Sequence, residues 1–192
     1  MDYFKIFIEN YSTSQSEEIF KAIKNIVKAK SYKKNDVIID LGETTSKFYI
    51  LKEGMVRSYV IDNKGKEYIK RLYKSISGFA PLTSLIKKKP SNYVFDCLTD
   101  CEVLEGNFYD FKALVNSNLE LSLIYIKALE KVHTISENRI YDLSVLNATE
   151  RYIKLKKQIP DIEDLIPQYH IASYLNITPI QLSRIRKKSF SK

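Results

Sequence analysis

The chain has 192 residues, enough for one or two domains with real cores, and its apolar content of 44% is ordinary for a globular protein. The 31 bases against 23 acids leave a formal net charge of +8, which suits nucleic acid or another acidic surface. Two cysteines, Cys97 and Cys101, exclude an iron–sulfur cluster, and the two histidines, His133 and His170, lie too far off in sequence to complete a zinc site.

The first 30 residues read as helical. The opening, MDYFKIFIEN, lacks the basic leader and apolar core of a signal peptide, so a cytoplasmic location is expected. SQSEEIFKAIKNIVKAK has Ser14 or Ser16 as a cap, acids in its first turn, and Ile19, Phe20, Ile23, Ile26 and Val27 on one face. From Ser31 to Glu105 the texture changes to short strands: VIID, KFYIL, MVRSYVID, EYIKRLY, YVFDCL and CEVLE. Gly42, Gly54, Gly65 and Gly106 lie at the breaks, and Asp62-Asn63-Lys64-Gly65 reads as a hairpin connection. Strands at this spacing indicate a sandwich or jelly roll. Pro81 to Ile86 is a short helix within it, Lys87 to Lys89 an exposed loop, and Cys97 and Cys101 small buried residues about the turn Thr99-Asp100.

After Gly106 the pattern turns helical again. NFYDFKALV follows Asn107 as a cap. A long helix then runs from about Leu119 to Leu146 with two apolar stripes. One is Ile126, Leu129, His133, Ser136, Ile140 and Leu143; the other is Ile124, Ala128, Val132 and Ile135. Two stripes suggest two packing partners, the roll of the same chain and the same helix of a second subunit. The alternative is one wide face on a single core. The second stripe supplies the candidates for a homodimer interface. NATERYIKLKK is a further amphipathic helix, ended by Pro160.

The segment from Ile166 to Lys188, IPQYHIASYLNITPIQLSRIRKK, has too many polar residues and prolines for a membrane span. It reads as two short helices and a tight turn. Pro167 suits a first helical position, Ala172 allows close crossing, and Asn176 tolerates the left-handed turn. Thr178 is a good cap with Pro179 following, and Leu182 and Ile185 form the inner face. That is a helix-turn-helix, which places its second helix in the DNA major groove. After Asp164 no acid follows, while Arg184, Arg186, Lys187, Lys188 and Lys192 cluster there.

The architecture is thus α+β: an N-terminal jelly-roll-like domain (1–118), a long connecting and dimerisation helix (119–146) and a helix-turn-helix domain (147–192). The strands FYILKEGMVRSYVIDNKGKEYIKRL, the CEVLE strand and the helix-turn-helix together resemble the Crp/Fnr family of bacterial transcription regulators across nearly the whole chain. The resemblance implies a homodimer, double-stranded DNA with a pseudo-palindromic operator as partner, and a roll that senses a small-molecule effector. It assigns DNA contacts to Thr178, Ile180, Gln181, Arg184, Lys187 and Lys188, with Arg184 the best candidate for a bidentate contact to guanine.

Cyclic-nucleotide-binding members carry a Gly-Glu pair for the ribose and an Arg-Ser or Arg-Thr pair for the phosphate. Here Gly78 is followed by Phe79, Ser91-Asn92 takes the place of Arg-Ser, and no acid lies between Lys74 and Tyr93. These four are the candidate pocket residues. Without the guanidinium fork and the carboxylate, cyclic AMP is not expected to bind in the usual way. Four residues follow Lys188 in this sequence, so the family's β-wing after the recognition helix is not expected. No phosphate-cradling glycine loop, H-E-x-x-H or G-x-S-x-G occurs, and neither an enzyme nor a bound cofactor is expected. The alternative to a DNA-binding regulator is a sensing or protein-interaction module with a degenerate nucleotide pocket that no longer binds DNA.

Overall fold

A computed structural model describes residues 3–11 and 17–190. The expected caps Ser14 and Ser16, and Lys192 of the basic cluster, lie outside them. Two helices, α1 (Tyr3–Glu9) and α2 (Glu17–Ile26), precede the first strand. β1 is Val27–Tyr32, β2 Val37–Ile39, β3 Lys47–Glu53, β4 Met55–Ile61, β5 Glu67–Lys74 and β6 Ser77–Phe79. After α3 (Leu82–Lys87) come β7 (Val94–Cys97) and β8 (Cys101–Asn107). They form two antiparallel four-stranded sheets, ordered β1-β8-β3-β6 and β2-β7-β4-β5.

Two strands were not expected. Val27 belongs to β1, paired with Gly106, and does not continue the helical face. The exposed Lys28, Ala29 and Lys30 after it offer no third helical turn of apolar residues. β6 is only three residues long and is held by its pairing with Tyr49, Ile50 and Leu51. Gly54, between β3 and β4, has φ of +97°, and a Cβ there would lie 2.3 Å from the Asp100 carbonyl, so the turn requires glycine. The Asp62–Gly65 hairpin forms as expected, with Asp62 Oδ1 accepting from the Lys64 and Lys66 amides. Between the sheets lie Ile39, Leu51, Val56, Val103 and stacked rings, with Phe79 5.0 Å from Tyr49 and 5.9 Å from Phe95.

Helical structure returns with α4 (Phe108–Ser117), whose first amides donate to the expected Asn107 cap, and α5 (Leu119–Val145). Then come α6 (Ala148–Gln158), α7 (Ile162–Leu165), α8 (Gln168–Leu175) and α9 (Pro179–Phe190). Asn147 and Glu150 close α6 with a reciprocal capping box. Pro167 sits one position earlier than expected, at the cap of α8.

The helix-turn-helix does not hang free of the roll. Met55, Leu98 and half-buried Leu72 share one apolar core with Tyr152, Leu155, Ile171 and Leu182. Polar contacts reinforce the seam. Ser173 Oγ donates to the Glu67 carbonyl (2.8 Å) and accepts from the Ile69 amide (3.1 Å), so α8 lies against the edge of β5.

Candidate functional site

Within the helix-turn-helix, Asn176 adopts φ +53°, and its amide donates to the Ala172 and Ser173 carbonyls at the end of α8. Arg151 Nε donates to the Leu175 carbonyl (3.1 Å), and Arg139 to that of Tyr174, placing two cations at the negative end of α8. The start of α9 is closed by a capping box. Thr178 Oγ1 accepts from the Gln181 amide (3.2 Å), while Gln181 Oε1 accepts from the Thr178 amide (2.9 Å) and hydroxyl. Leu182 is fully buried and Ile185 half-buried, which sets the angle of α9; one buried leucine is worth roughly 1.5–3 kcal/mol.

Ile180, Arg184, Lys187 and Lys188 therefore share the exposed face. Arg184 has no ion-pair partner among the described residues. Arg186, one of the expected basic cluster, is turned back, its Nε 2.6 Å from Glu163. Gln181 is only partly available as a base reader, since its carbonyl oxygen is committed to the cap. The Thr-x-x-Gln spacing carried that signal.

Behind the helix-turn-helix lies a buried charged cluster that sequence reasoning missed. Arg57 of β4 makes a bidentate pair with Asp96 of β7 (2.7 and 2.8 Å), pairs with Glu67 of β5, and reaches His170 Nδ1 of α8 at 2.9 Å. Arg57, Asp96 and His170 are all buried. Burial works against the Arg57 charge, but its hydrogen bonds to Asp96 and Glu67 outweigh it and push its pKa up. Burial, with the Arg57 charge beside it, lowers His170 to about 4. The imidazole is therefore neutral and accepts from Arg57. The sequence places an arginine in one strand and an aspartate in another, but gives no sign that these strands pair or that a histidine 113 positions from Arg57 joins them.

The second site is a cavity of about 920 Å³ between the roll and α5, with residues of α1 to α4, α6 and α8 also in its lining. Gly78, Phe79 and Asn92 of the expected pocket line it. Ser91 is buried beside it, its hydroxyl donating to the Tyr93 carbonyl (2.7 Å) and accepting from the Tyr93 amide (3.2 Å), a turn-forming role. Phe79, where a nucleotide-binding roll carries its acid, is buried in the ring stack. Lys87, Lys88 and Lys89 lie outside the lining.

The stripe expected to meet a second subunit faces this chain's own roll instead. Ile124 is buried with Ile50, Val115 and Leu121, and half-buried Ala128 and Ile135, with the more exposed Val132, line the cavity. Phe48 and Tyr49 of β3 and Phe79 of β6 also line it, which draws that stripe inward. Of the other stripe, Ile126 and Leu143 are exposed, as are Leu119 and Leu123, while Leu129, Ser136 and the exposed Ile140 line the cavity.

Cys97 and Cys101 are both buried free thiols. The Cys101 thiol donates to the Met55 and Thr99 carbonyls, and the interaction between the two thiols raises Cys97 and lowers Cys101. Among the described residues no group of three His, Cys, Asp or Glu is placed to hold a metal ion, and no helix is long and apolar enough to cross a membrane.

A jelly roll joined by one long helix to a helix-turn-helix defines the class of architecture. Residues 29–118 match the family of the cyclic nucleotide-binding domain. Comparison with curated proteins gives no match. Solved structures share the fold across almost the whole chain. FixK2 from Bradyrhizobium japonicum is 17% identical with a TM-score of 0.73, covering 86% of this chain and 85% of that one. The c-di-GMP-responsive global regulator CLP of Xanthomonas campestris is 14% identical with a TM-score of 0.71, covering 91% of each. A CooA variant from Carboxydothermus hydrogenoformans is 16% identical with a TM-score of 0.68, covering 95% of this chain and 83% of that one. The roll thus matches the cyclic nucleotide-binding domain over residues 29–118, and the whole chain shares the fold of these three structures.

Proposed function

We propose that the protein is a homodimeric, DNA-binding transcription regulator of the cytoplasm and not an enzyme, and that cyclic AMP is not its effector. The observation that carries this reading is α9. Its inner face is locked by Leu182, its N-terminus is capped by Thr178 and Gln181, and its outer face offers Arg184, Lys187 and Lys188. A capped helix N-terminus suits a phosphate, and an exposed arginine one turn further on suits a base edge.

Arg184 and Lys188 test it. A bidentate guanine contact is worth roughly 1–3 kcal/mol of discrimination, or about ten- to a hundredfold. Arg184→Ala is expected to weaken operator binding and relax preference at one base pair in each half-site. Lys188→Ala is expected to weaken binding to all sequences alike and to lower the salt dependence by about one phosphate's worth. Binding of both variants to a panel of single-base operator changes at two salt concentrations measures this. An even loss for Arg184→Ala makes it a phosphate contact; no change for either variant removes the DNA reading and favours a module that regulates a protein partner.

The dimer is assigned to the exposed stripe of α5, through Leu119, Leu123, Ile126 and Ile140. Ile126→Glu with Ile140→Glu puts four like charges into a two-fold interface. Sedimentation is expected to show a dimer for the natural chain at micromolar concentration and a monomer for the variant. A dimer that survives both changes lies elsewhere.

A further inference from the structure

The cavity between roll and α5 has a chemistry of its own. Its walls are largely rings and aliphatic side chains, among them Phe79, Tyr125 and Ile135. The lining also holds Arg71 of β5, whose guanidinium lies 5.0 Å from the Tyr73 ring. Arg71 has no ion-pair partner among the described residues. Opposite it in the β4–β5 register stands Ser58, a buried cavity-lining hydroxyl whose contact to Tyr73 Oη is long, at 3.4 Å. Burial pushes the Tyr73 hydroxyl up, and the Arg71 charge pulls against it, so the guanidinium's field reaches the buried wall.

The other cations of the lining are differently placed. Lys154 pairs with Asp142 at 2.6 Å, Arg139 stacks on Tyr174 and donates to its carbonyl, and exposed Lys70 lies 4.0 Å over the Tyr93 ring. Asp142 is the only carboxylate in the lining among the described residues, and Lys154 already neutralises it. A cationic ligand would find no unpaired carboxylate there. A purely apolar ligand would desolvate Arg71 without compensating it. A cyclic nucleotide would meet Phe79 where its ribose needs an acceptor.

We propose that this cavity binds a small organic acid, an apolar alkyl or aryl body seated against Phe79, Tyr125 and Ile135 with one carboxylate on Arg71 and Ser58. The size fits, since pockets for such ligands run to about 300–1,000 Å³. The acid bridges β5 of the roll to α5, the helix that leads to the DNA-reading end. This deepens the sensor half of the regulator proposed above. It is tested without DNA, so its failure is separate from failure of the DNA reading.

The experiment is calorimetric titration of the full chain with octanoate and 4-phenylbutyrate, each against its matched alcohol, 1-octanol and 4-phenyl-1-butanol, and with cyclic AMP. At least one acid is expected to bind about tenfold or more tightly than its alcohol, the worth of one charge-assisted contact. The tighter of the two acids names the body as alkyl or aryl. Arg71→Gln is expected to erase that preference while leaving alcohol affinity unchanged, which also shows that the variant is folded. Ala128→Trp, which sets a large ring on the cavity wall beside Tyr125 with Arg71 intact, is expected to weaken binding of acid and alcohol alike. Equal binding of acid and alcohol by the natural chain overturns the proposal. So does an acid preference that survives Arg71→Gln, acid binding unaffected by Ala128→Trp, or cyclic AMP binding tighter than both acids.

Discussion

Replacing Arg57 by alanine is expected to cost about 3–5 kcal/mol of folding stability, the range for removing one partner of a buried ion pair. The reason is what remains. Asp96 is 8% exposed and accepts both of its charge-assisted bonds from this one guanidinium. Without it, a carboxylate is left in the roll with neither counter-charge nor water, and His170 Nδ1 loses its donor. Urea denaturation of both chains measures the difference. The double variant Arg57→Ala, Asp96→Ala should recover part of the loss, because the stranded charge has gone with its partner. A loss below about 1 kcal/mol, typical of an exposed pair, would mean that water reaches Asp96.

His170 makes stability fall as the solution becomes acidic. In the unfolded chain its imidazole takes up a proton as pH falls through its ordinary value of 6.5, but in the folded chain only near 4. Between those values the unfolded state binds more protons, so stability is lost as pH drops through that window. The full loss is about 3 kcal/mol at 1.36 kcal/mol per pH unit of displacement, and it is smaller to the extent that water reaches the seam. Arg57, Glu67, Asp96 and Lys34 all act on this group. The carboxylates have an acid response of their own, so the test is a difference. In His170→Gln the side-chain oxygen can still accept from Arg57 but cannot titrate. The gap between the two stability–pH curves from 6.5 to 4 is the contribution of His170. Parallel curves would show that the histidine is solvated. Hydrogen exchange along α8 places the effect, because His170 and Ser173 hold that helix to the roll.

The helix-turn-helix was legible because its determinants are close together. Ala172, Asn176, Thr178 and Leu182 span eleven residues, and each acts through its own backbone geometry or its nearest turn. The strands were legible where β-branched and aromatic residues sat between turn signals, as in β3, β4 and β5. β1 and β6 lacked that texture and exist because a partner strand, β8 or β3, supplies their hydrogen bonds. The Asn147–Glu150 and Thr178–Gln181 capping boxes were equally local and could have been read from their spacing.

For α5, the sequence alone determined that the helix carries two apolar stripes, since 3.6-residue periodicity is a property of the segment itself. Which stripe packs toward the roll was decided elsewhere in the chain. β3 and β6 bring Phe48, Tyr49 and Phe79 to one side of the helix and turn Ile124, Ala128, Val132 and Ile135 toward the roll. In the same way, composition placed positive charge at the C-terminal end, but only packing showed that Arg186 is held by Glu163 while Arg184 faces out. The Arg57 cluster joins four elements across 113 positions. A charge–charge contact depends on distance in space and on the water excluded around it, and neither quantity is written in the order of the residues.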